Sequence, residues 1–579
     1  MNKNRKKNAA PPVETDYLAV SLFTLISIAA LWLCFGHYQL WGSHLATAFI
    51  PRFPLVPTAA LIFQNIELAF KGYSGTYARA AAGYTVFAFM ALSFLSIGRM
   101  LFHLIFKFRT QPGAGDELDP LERIALYYML GALCMSLFWL GMGLMGLLSP
   151  VLAFIVGLVA CASLFFQSRL LKGVSAPVAP NVIRQNLWTW FKSLPFGEKI
   201  MVTILMLILL LLSTNGIRLQ SYMDTLGVNI ALPSLFINAG RVMSWPNHIH
   251  SFLPINLEML VMWALLLKSE MAATMLMWGW LVTLVLLIWG FFRRYTGNLA
   301  ALCTIFVVIS ASLVVHASLM IKTDLPPALF LVAHYFALIE MLNRRSNPGQ
   351  HPQRWALLAG ILCGGAVGLK LIMLPAALFS SLLVLGSDIY YYAKKRAQFV
   401  PLTLWWFGGM LFVMFPWILR SIVNTGNPLY PFFSSLPIFK LVRPWHATIR
   451  GDISIAHYGW GGLKDLVTGL WLTSGTPPSI SPPSWGPSLM FILMSVFFVR
   501  KTHPVGFRLC WTVALLNWIF LLLYAMDTRY FIGSLIFIVS VPFALNLHLV
   551  FKTDSISKMA RFVAKIAIIF YFVHMYSLV

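Results

Sequence analysis

Apolar runs of transmembrane length recur along this chain from Tyr17 to Val579, and that recurrence constrains the fold more than any other feature. A run of about 20 such residues satisfies its own backbone hydrogen bonds as a helix and crosses a hydrocarbon core of roughly 30 Å. Only 10% of the 579 residues are charged and 59% are apolar, whereas a soluble domain carries roughly a quarter charged residues. The expected fold is therefore an all-α polytopic membrane protein with about 13–15 transmembrane helices, interfacial helices and large external loops. Candidate spans are 17–35, 78–106, 124–147, 149–167, 199–213, 271–292, 299–317, 325–342, 355–371, 373–391, 402–420, 487–499, 508–525, 530–549 and 562–578. They divide into N-terminal transmembrane helices (1–198), a core (199–550) with external loops 214–270 and 421–486, and a C-terminal helix (551–579).

The net charge of +24 would suggest nucleic-acid binding in a soluble protein. Here no basic patch is interleaved with stacking aromatics on a soluble element, and the charge has a simpler cause in basic loops retained in the cytoplasm. Cys34, Cys134, Cys161, Cys303, Cys363 and Cys510 all sit inside apolar runs without paired spacing, as core thiols do. The basic start followed by the run 17–35 resembles a signal peptide, but the run lacks a convincing small-residue cleavage site and is expected to be an uncleaved first span.

Orientation follows from the loops. With the basic N-terminus inside, the fifth span exits near Ser213 and the polar stretch 214–254 is external. If 255–268 crossed the membrane, Arg293 and Arg294 would fall outside; if it is a short helix at the outer interface, they fall inside, with Arg344, Arg345, Arg354 and Lys394-Lys395-Arg396. Fourteen residues are too few for comfortable spanning, so the interfacial helix is expected, and the rule of positive loops inside is then obeyed at nearly every turn. The bacterial inner membrane is the expected location. Two large polar loops then share the outer face, where a plain bundle needs only short turns.

With 18 acids in the chain, elimination is practical. Glu14, Asp16, Asp116, Glu117, Asp119, Glu122, Glu198, Glu340, Asp388 and Asp554 fall in or beside cytoplasmic loops, and Glu270 starts a span. That leaves Glu67, Asp224, Glu258, Asp324, Asp452, Asp465 and Asp527. Asp224, in Gln220-Ser-Tyr-Met-Asp-Thr, and Asp324, in Ile321-Lys-Thr-Asp-Leu-Pro-Pro, belong at the outer interface, where an ionisable group needs a cation, a metal or a substrate. Asp before Leu-Pro-Pro is also a good helix cap, and capping is compatible with function. Lys370, Arg420 and Arg529 lie at matching depth; cations there suit a lipid-linked phosphate, although single ones also snorkel without further purpose. Gly426-Asn-Pro-Leu-Tyr-Pro431 builds a rigid turn, followed by Trp445, His446, His457, Tyr458 and Trp460, which suit either a sugar-binding surface or an interfacial aromatic belt. The His248-Ile-His250 pair lacks a third ligand in register and reads as ordinary loop residues. The glycines from Gly141 to Gly146 and Gly364 to Gly368 read as helix packing. No nucleophile elbow, Walker A, HExxH, CxxC or dinucleotide fingerprint supports another chemistry.

These residues resemble the polytopic glycosyltransferases of the GT-C class, which includes protein O-mannosyltransferases and lipid A aminoarabinose transferases. Asp224 resembles their first-loop acid, Phe252-Leu-Pro-Ile-Asn-Leu-Glu258-Met-Leu the segment that follows it in bacterial members, and Asp324 their second acid. Gly368-Leu-Lys370 resembles their Gly-x-Lys element, the Asn427 to Tyr430 turn their Gly-Asn-Pro-x-Tyr-Pro, and Arg529-Tyr530 their late Arg-Tyr pair. The resemblance covers residues 199 to 550, and the order of the motifs is more specific than any one of them. Many bacterial members carry Tyr-His four and five residues after the Asp; here Val228 and Asn229 stand there.

The resemblance implies an enzyme that transfers a sugar from a polyprenyl-phosphate donor to a glycan, lipid or protein acceptor on the outer face, with inversion. Asp224 and Asp324 would be catalytic, with Glu258, Lys370, Arg420, Asn427, Tyr430, Arg529 and Tyr530 binding substrate. No cofactor is certain, and a divalent cation (Mg or Mn) shared by the acids stays open. Three rival readings stay open as well: a polysaccharide polymerase or ligase, a degenerate scaffold, and a transporter or flippase. For the last, no internal repeat is evident and Arg99 is the clearest charge within a span.

Overall fold

A computed structural model describes residues 74–106, 118–170, 188–214, 224–245, 248–345, 350–394, 401–432, 504–524 and 528–552. The expected spans 17–35, 487–499 and 562–578 lie outside these residues. So do Glu67, Asp452, Asp465, Asp527 and the aromatic and histidine residues from Trp445 to Trp460. Among the described residues the elements are helical, and eight helices are long and apolar enough to cross a membrane, or nine if one sharply bent pair counts as a single span. The chain is a multi-pass, all-α protein.

In chain order the helices are α1 (Ser74–Phe106), α2 (Pro120–Leu144), α3 (Pro150–Leu170), α4 (Phe196–Ser213), α5 (Ala231–Ala239), α6 (Asn256–Leu266), α7 (Glu270–Thr296) and α8 (Asn298–Ile309). They continue as α9 (Ser312–Leu319), α10 (Leu325–Arg344), α11 (Pro352–Leu369), α12 (Leu374–Lys394), α13 (Leu402–Thr425), α14 (Val505–Tyr524) and α15 (Ile532–Lys552). A π-helical turn, Thr225–Ile230, leads into α5, and short 3-10 turns cover Ile249–Phe252, Leu371–Met373 and Thr528–Phe531. The expected single span 299–317 is broken into α8 and α9.

Local sequence explains where these helices start and stop. Ser269 accepts a hydrogen bond from the Ala272 N–H at the head of α7, Glu270 sits in its first turn and Arg293 and Arg294 in its last, so cap and dipole are both satisfied. Asp119 caps α2 through the Leu121 N–H, with Pro120 in the first turn. Gly426, at φ 71°, ends α13 in the left-handed conformation that glycine adopts without steric cost.

The 255–268 question is settled by two hydrogen bonds. Asn298, just after α7, donates to Glu198 at the head of α4 at 2.6 Å, while Trp278, near the start of α7, donates to the Leu209 carbonyl near the end of α4 at 2.7 Å. The two helices therefore run antiparallel side by side, and α6 between them does not cross. Nor does α6 lie in a lipid interface as the sequence suggested: Leu257, Met259, Val261, Met262, Trp263 and Ala264 are all fully buried, and α6 packs against α2, α5 and α7. A helix apolar on every side needs protein on every side, which an interfacial position cannot provide.

The outer surface inverts that of a soluble protein. Leu404, Phe412, Phe415 and Val423 project from α13 at 60–74% exposure, as a lipid-facing helix requires, whereas α10 and α15 are almost wholly enclosed. Close approach between α11 and α13 rests on Gly360 and Gly409. A Cβ on Gly360 would stand 2.0 Å from the Trp406 carbonyl oxygen, and one on Gly409 2.4 Å from that of Leu357, the small-residue contact expected where helices meet in lipid. Gly364, Gly365 and Gly368 also face close neighbours; in the first cluster Gly143 packs against Val242, where a Cβ would stand 2.3 Å from that side chain, while Gly141 faces open space and Gly146 takes a positive φ of 75° at the helix end.

At one end of the bundle the acids set aside by elimination meet the arginines of the short loops. Arg294 bonds Glu122 through Nε and a terminal nitrogen at 2.9 and 3.1 Å and reaches Glu340 at 2.8 Å. Tyr295 donates to Glu340 at 2.7 Å, and Arg344 pairs with Glu340 at 3.0 Å. Arg345 pairs with Asp388 at 2.6 Å, and Asp388 in turn caps the head of α13 through the N–H groups of Leu402 and Thr403. This ionic belt ties α2, α7, α10, α12 and α13 at one face and leaves the opposite face to a different set of charges.

Candidate functional site

At that opposite face, residues far apart in sequence converge. Asp324 ends the connection into α10, and although it holds the N-cap position its side chain makes no capping bond. Instead its Oδ1 accepts from Lys370 Nζ at 2.5 Å. Lys370 follows α11 directly, in extended backbone that turns the side chain back over the bundle end, and its ammonium lies 4.8 Å from the Tyr530 ring centroid. A second pair stands beside the first, with Arg529 reaching Asp224 at 3.4 Å. Asp224, Asp324, Lys370, Arg529 and Tyr530 thus form one cluster.

The two acids differ in setting. The Asp224 side chain is 56% exposed, that of Asp324 only 5%. Burial pushes the Asp324 carboxyl upward, but Lys370, through its charge and hydrogen bond, with help from Arg529 and Lys322, more than offsets this and holds it below its ordinary 3.8. A carboxylate with a lowered value stabilises the fold fully above 3.8, and that contribution disappears as pH falls through the lowered value. In Lys370→Met, burial acts unopposed by its nearest cation. The expected cost is about 3–5 kcal/mol at neutral pH, shrinking as pH falls and the stranded carboxyl takes up a proton. Thermal aggregation of the detergent-solubilised variant at pH 7 and pH 3.5 checks this; equal deficits at both would show that the loss is packing rather than charge.

Lys322, which elimination of the acids did not bring forward, belongs to the same cluster. It is 3% exposed, and burial lowers it to about 8 against the opposing pull of Asp324, with Arg529 adding to the lowering. Its sequence signal was its place two residues before Asp324, a fourth cation at the same depth. Glu258, in the first turn of α6, is buried and pushed up to about 7 by that burial, with its own backbone N–H and then Lys370 acting the other way. Its Oε2 has no hydrogen-bond partner among the described residues. His250 is lowered by burial and by His248, while Asp224 acts in the opposite sense, which brings that histidine into the neighbourhood of the exposed acid.

Two segments are cross-tied beneath the cluster. The Thr225 hydroxyl and the Asn229 amide both donate to the Ile321 carbonyl, at 3.1 and 2.5 Å, linking the turn after Asp224 to the connection that carries Lys322 and Asp324. His248 Nε2 lies 3.2 Å from the Gly227 carbonyl.

Three of the expected substrate-binding residues make contacts within the protein. Arg420 is buried; its guanidinium bonds Ser244 Oγ at 3.1 Å and the carbonyls of Ser251 and Leu253, pinning the 3-10 turn Ile249–Phe252 to the end of α13. Asn427 closes its own turn, accepting from the Leu429 N–H at 2.9 Å and donating to the Phe432 carbonyl at 2.7 Å. Tyr430 is buried, its ring centroid 5.8 Å from that of Phe252. Arg420 and Asn427 lie beside backbone carbonyls and amides that need partners, and their polar groups supply them.

No three His, Cys, Asp or Glu side chains stand together as a metal site among the described residues. Asp224 and Asp324 each face a cationic side chain. No protein-family profile, no curated protein and no solved structure matches this chain.

Proposed function

We propose that this chain is an inverting membrane glycosyltransferase that takes a sugar from a polyprenyl-phosphate donor and passes it to a glycan, lipid or protein hydroxyl at the face opposite the ionic belt. The observation that carries this reading is the convergence of Asp224 with Arg529 and of Asp324 with Lys370, beside the buried Lys322. Three cations against two carboxylates leave a net positive site at the membrane end, suited to the single charge of a phosphodiester. The arginines of the ionic belt at the other end favour a cytoplasmic assignment for that end, and hence an outer-leaflet position for the site.

The division of labour follows from exposure. Asp224, open to solvent, accepts the proton of the acceptor hydroxyl as its oxygen bonds the anomeric carbon. The bond from that carbon to the phosphate oxygen breaks, and the electron pair leaves on the polyprenyl phosphate, whose charge Lys322, Lys370 and Arg529 stabilise. Attack and departure on opposite sides of the carbon give inversion. Asp324, enclosed and bonded to Lys370, orients that ammonium rather than touching the acceptor.

Cells with and without the intact chain, fed radiolabelled glucose, test this. Label is expected to move from the solvent-extractable lipid fraction into a delipidated envelope fraction only when the chain is present. Label that crosses the membrane yet stays lipid-linked in both cases would favour a flippase and sink the transferase reading.

A further inference from the structure

Resting on that reading, we infer that Asn229, with Thr225, is a positioning residue of this site: the pair clamps the Ile321 carbonyl and so holds Lys322 and Asp324 in register with Asp224. Three observations carry this. The two side chains are four residues apart on one helical turn, so they leave the same face, and both donate to one acceptor, at 3.1 and 2.5 Å. Thr225, Asn229 and Ile321 are all nearly or fully buried, so water does not substitute for a lost donor. The turn is π-helical, a costly local geometry that persists where a side chain must be aimed.

The geometry joins two segments that no helix joins. Asp224 precedes the π-turn by one residue, while Lys322 and Asp324 follow Ile321 by one and three. The Ile321 carbonyl is thus the point at which the exposed acid and the buried charge pair are referred to each other. Asn229 suits the task because its amide donates at any pH and adds no charge to a cluster already holding two carboxylates. An ionised aspartate there has no donor and would repel the Ile321 oxygen; a protonated one can donate.

The test compares full-length wild type, Asn229→Ala, Asn229→Asp, Thr225→Val and Asp224→Asn in native membranes at equal protein level. Two readouts are taken from pH 5 to pH 8: sugar transfer as above, and acetic anhydride labelling of Lys322 quantified by mass spectrometry. Asn229→Ala is expected to raise Lys322 labelling and lower transfer, each by about tenfold, with Thr225→Val smaller in both. Asn229→Asp is expected to match Asn229→Ala at pH 8 and to approach wild type toward pH 5. A packing role would leave the ratio of the two variants flat with pH. Wild-type labelling in Asn229→Ala, raised labelling with unchanged transfer, or a flat ratio would each overturn the proposal. If Asp224→Asn retains transfer, Asp224 falls as the base; if wild type itself moves no label out of the lipid fraction, the glycosyltransferase reading falls; in either case the clamp is judged on the pH profile of Lys322 labelling alone.

Discussion

Asp224→Asn is expected to lower sugar transfer by roughly 10²- to 10⁴-fold, the range a single general base contributes, while the protein accumulates and inserts as wild type does. The stability half of this expectation comes from exposure. The Asp224 side chain is 56% exposed and its Arg529 partner 23%, at a separation of 3.4 Å, a pair of the kind worth about 0–1 kcal/mol. Losing it cannot unfold a bundle whose core is elsewhere. Asparagine keeps the shape and can still accept a hydrogen bond from Arg529, so the change isolates the proton-accepting function. Asp324→Asn behaves differently, because Asp324 is enclosed and bonded to Lys370 at 2.5 Å; there activity and stability fall together. Equal transfer by Asp224→Asn and wild type would remove Asp224 as the base.

Much of this was legible in the chain before its fold. Hydropathy fixed the class, and loop charge sorted Asp119, Glu122, Glu340 and Asp388 from Asp224 and Asp324; in the fold the first set sits in the ionic belt and the second at the opposite end. Sorting by depth works because each span must place its ends at a membrane surface, so a polar residue beside a span has only two possible addresses.

Depth does not report azimuth, and azimuth decides what each side chain at this end of the bundle touches. Arg420 and Lys370 end neighbouring helices at the same level, yet Lys370 turns toward Asp324 while Arg420 turns to the carbonyls of Ser251 and Leu253. Nothing in sequence distinguishes a cation facing a ligand from one facing the next turn. Lys322 was overlooked for the converse reason, since a short connection between two apolar helices looks like plain linkage. Asn229 reads as a departure from the GT-C pattern when aligned by motif. In space it is one half of a clamp on Ile321, a role that depends on a residue 92 positions away.

Arg294→Met is expected to be strongly destabilising, by about 3–5 kcal/mol, because it removes one partner of a buried ion network and strands the rest. Glu122 and Glu340 are 2–3% exposed, and Arg294 is the cation they share, with Arg344 reaching only Glu340. Two buried carboxyl groups would then lose the cation they share. Arg293→Met supplies the comparison: Arg293 is 26% exposed and pairs with Asp119, which also accepts from the Leu121 N–H, so one carboxylate is stranded rather than two and the cost is expected to be smaller. Charge, rather than volume, can be isolated by adding Glu122→Gln and Glu340→Gln to Arg294→Met. With both acids neutral, most of the lost stability should return, since replacing a whole buried ion network is far less costly than breaking it. Midpoints of thermal aggregation in one detergent rank the four proteins, and a triple variant no more stable than Arg294→Met would mean that the arginine holds α2, α7 and α10 together by packing along its stem.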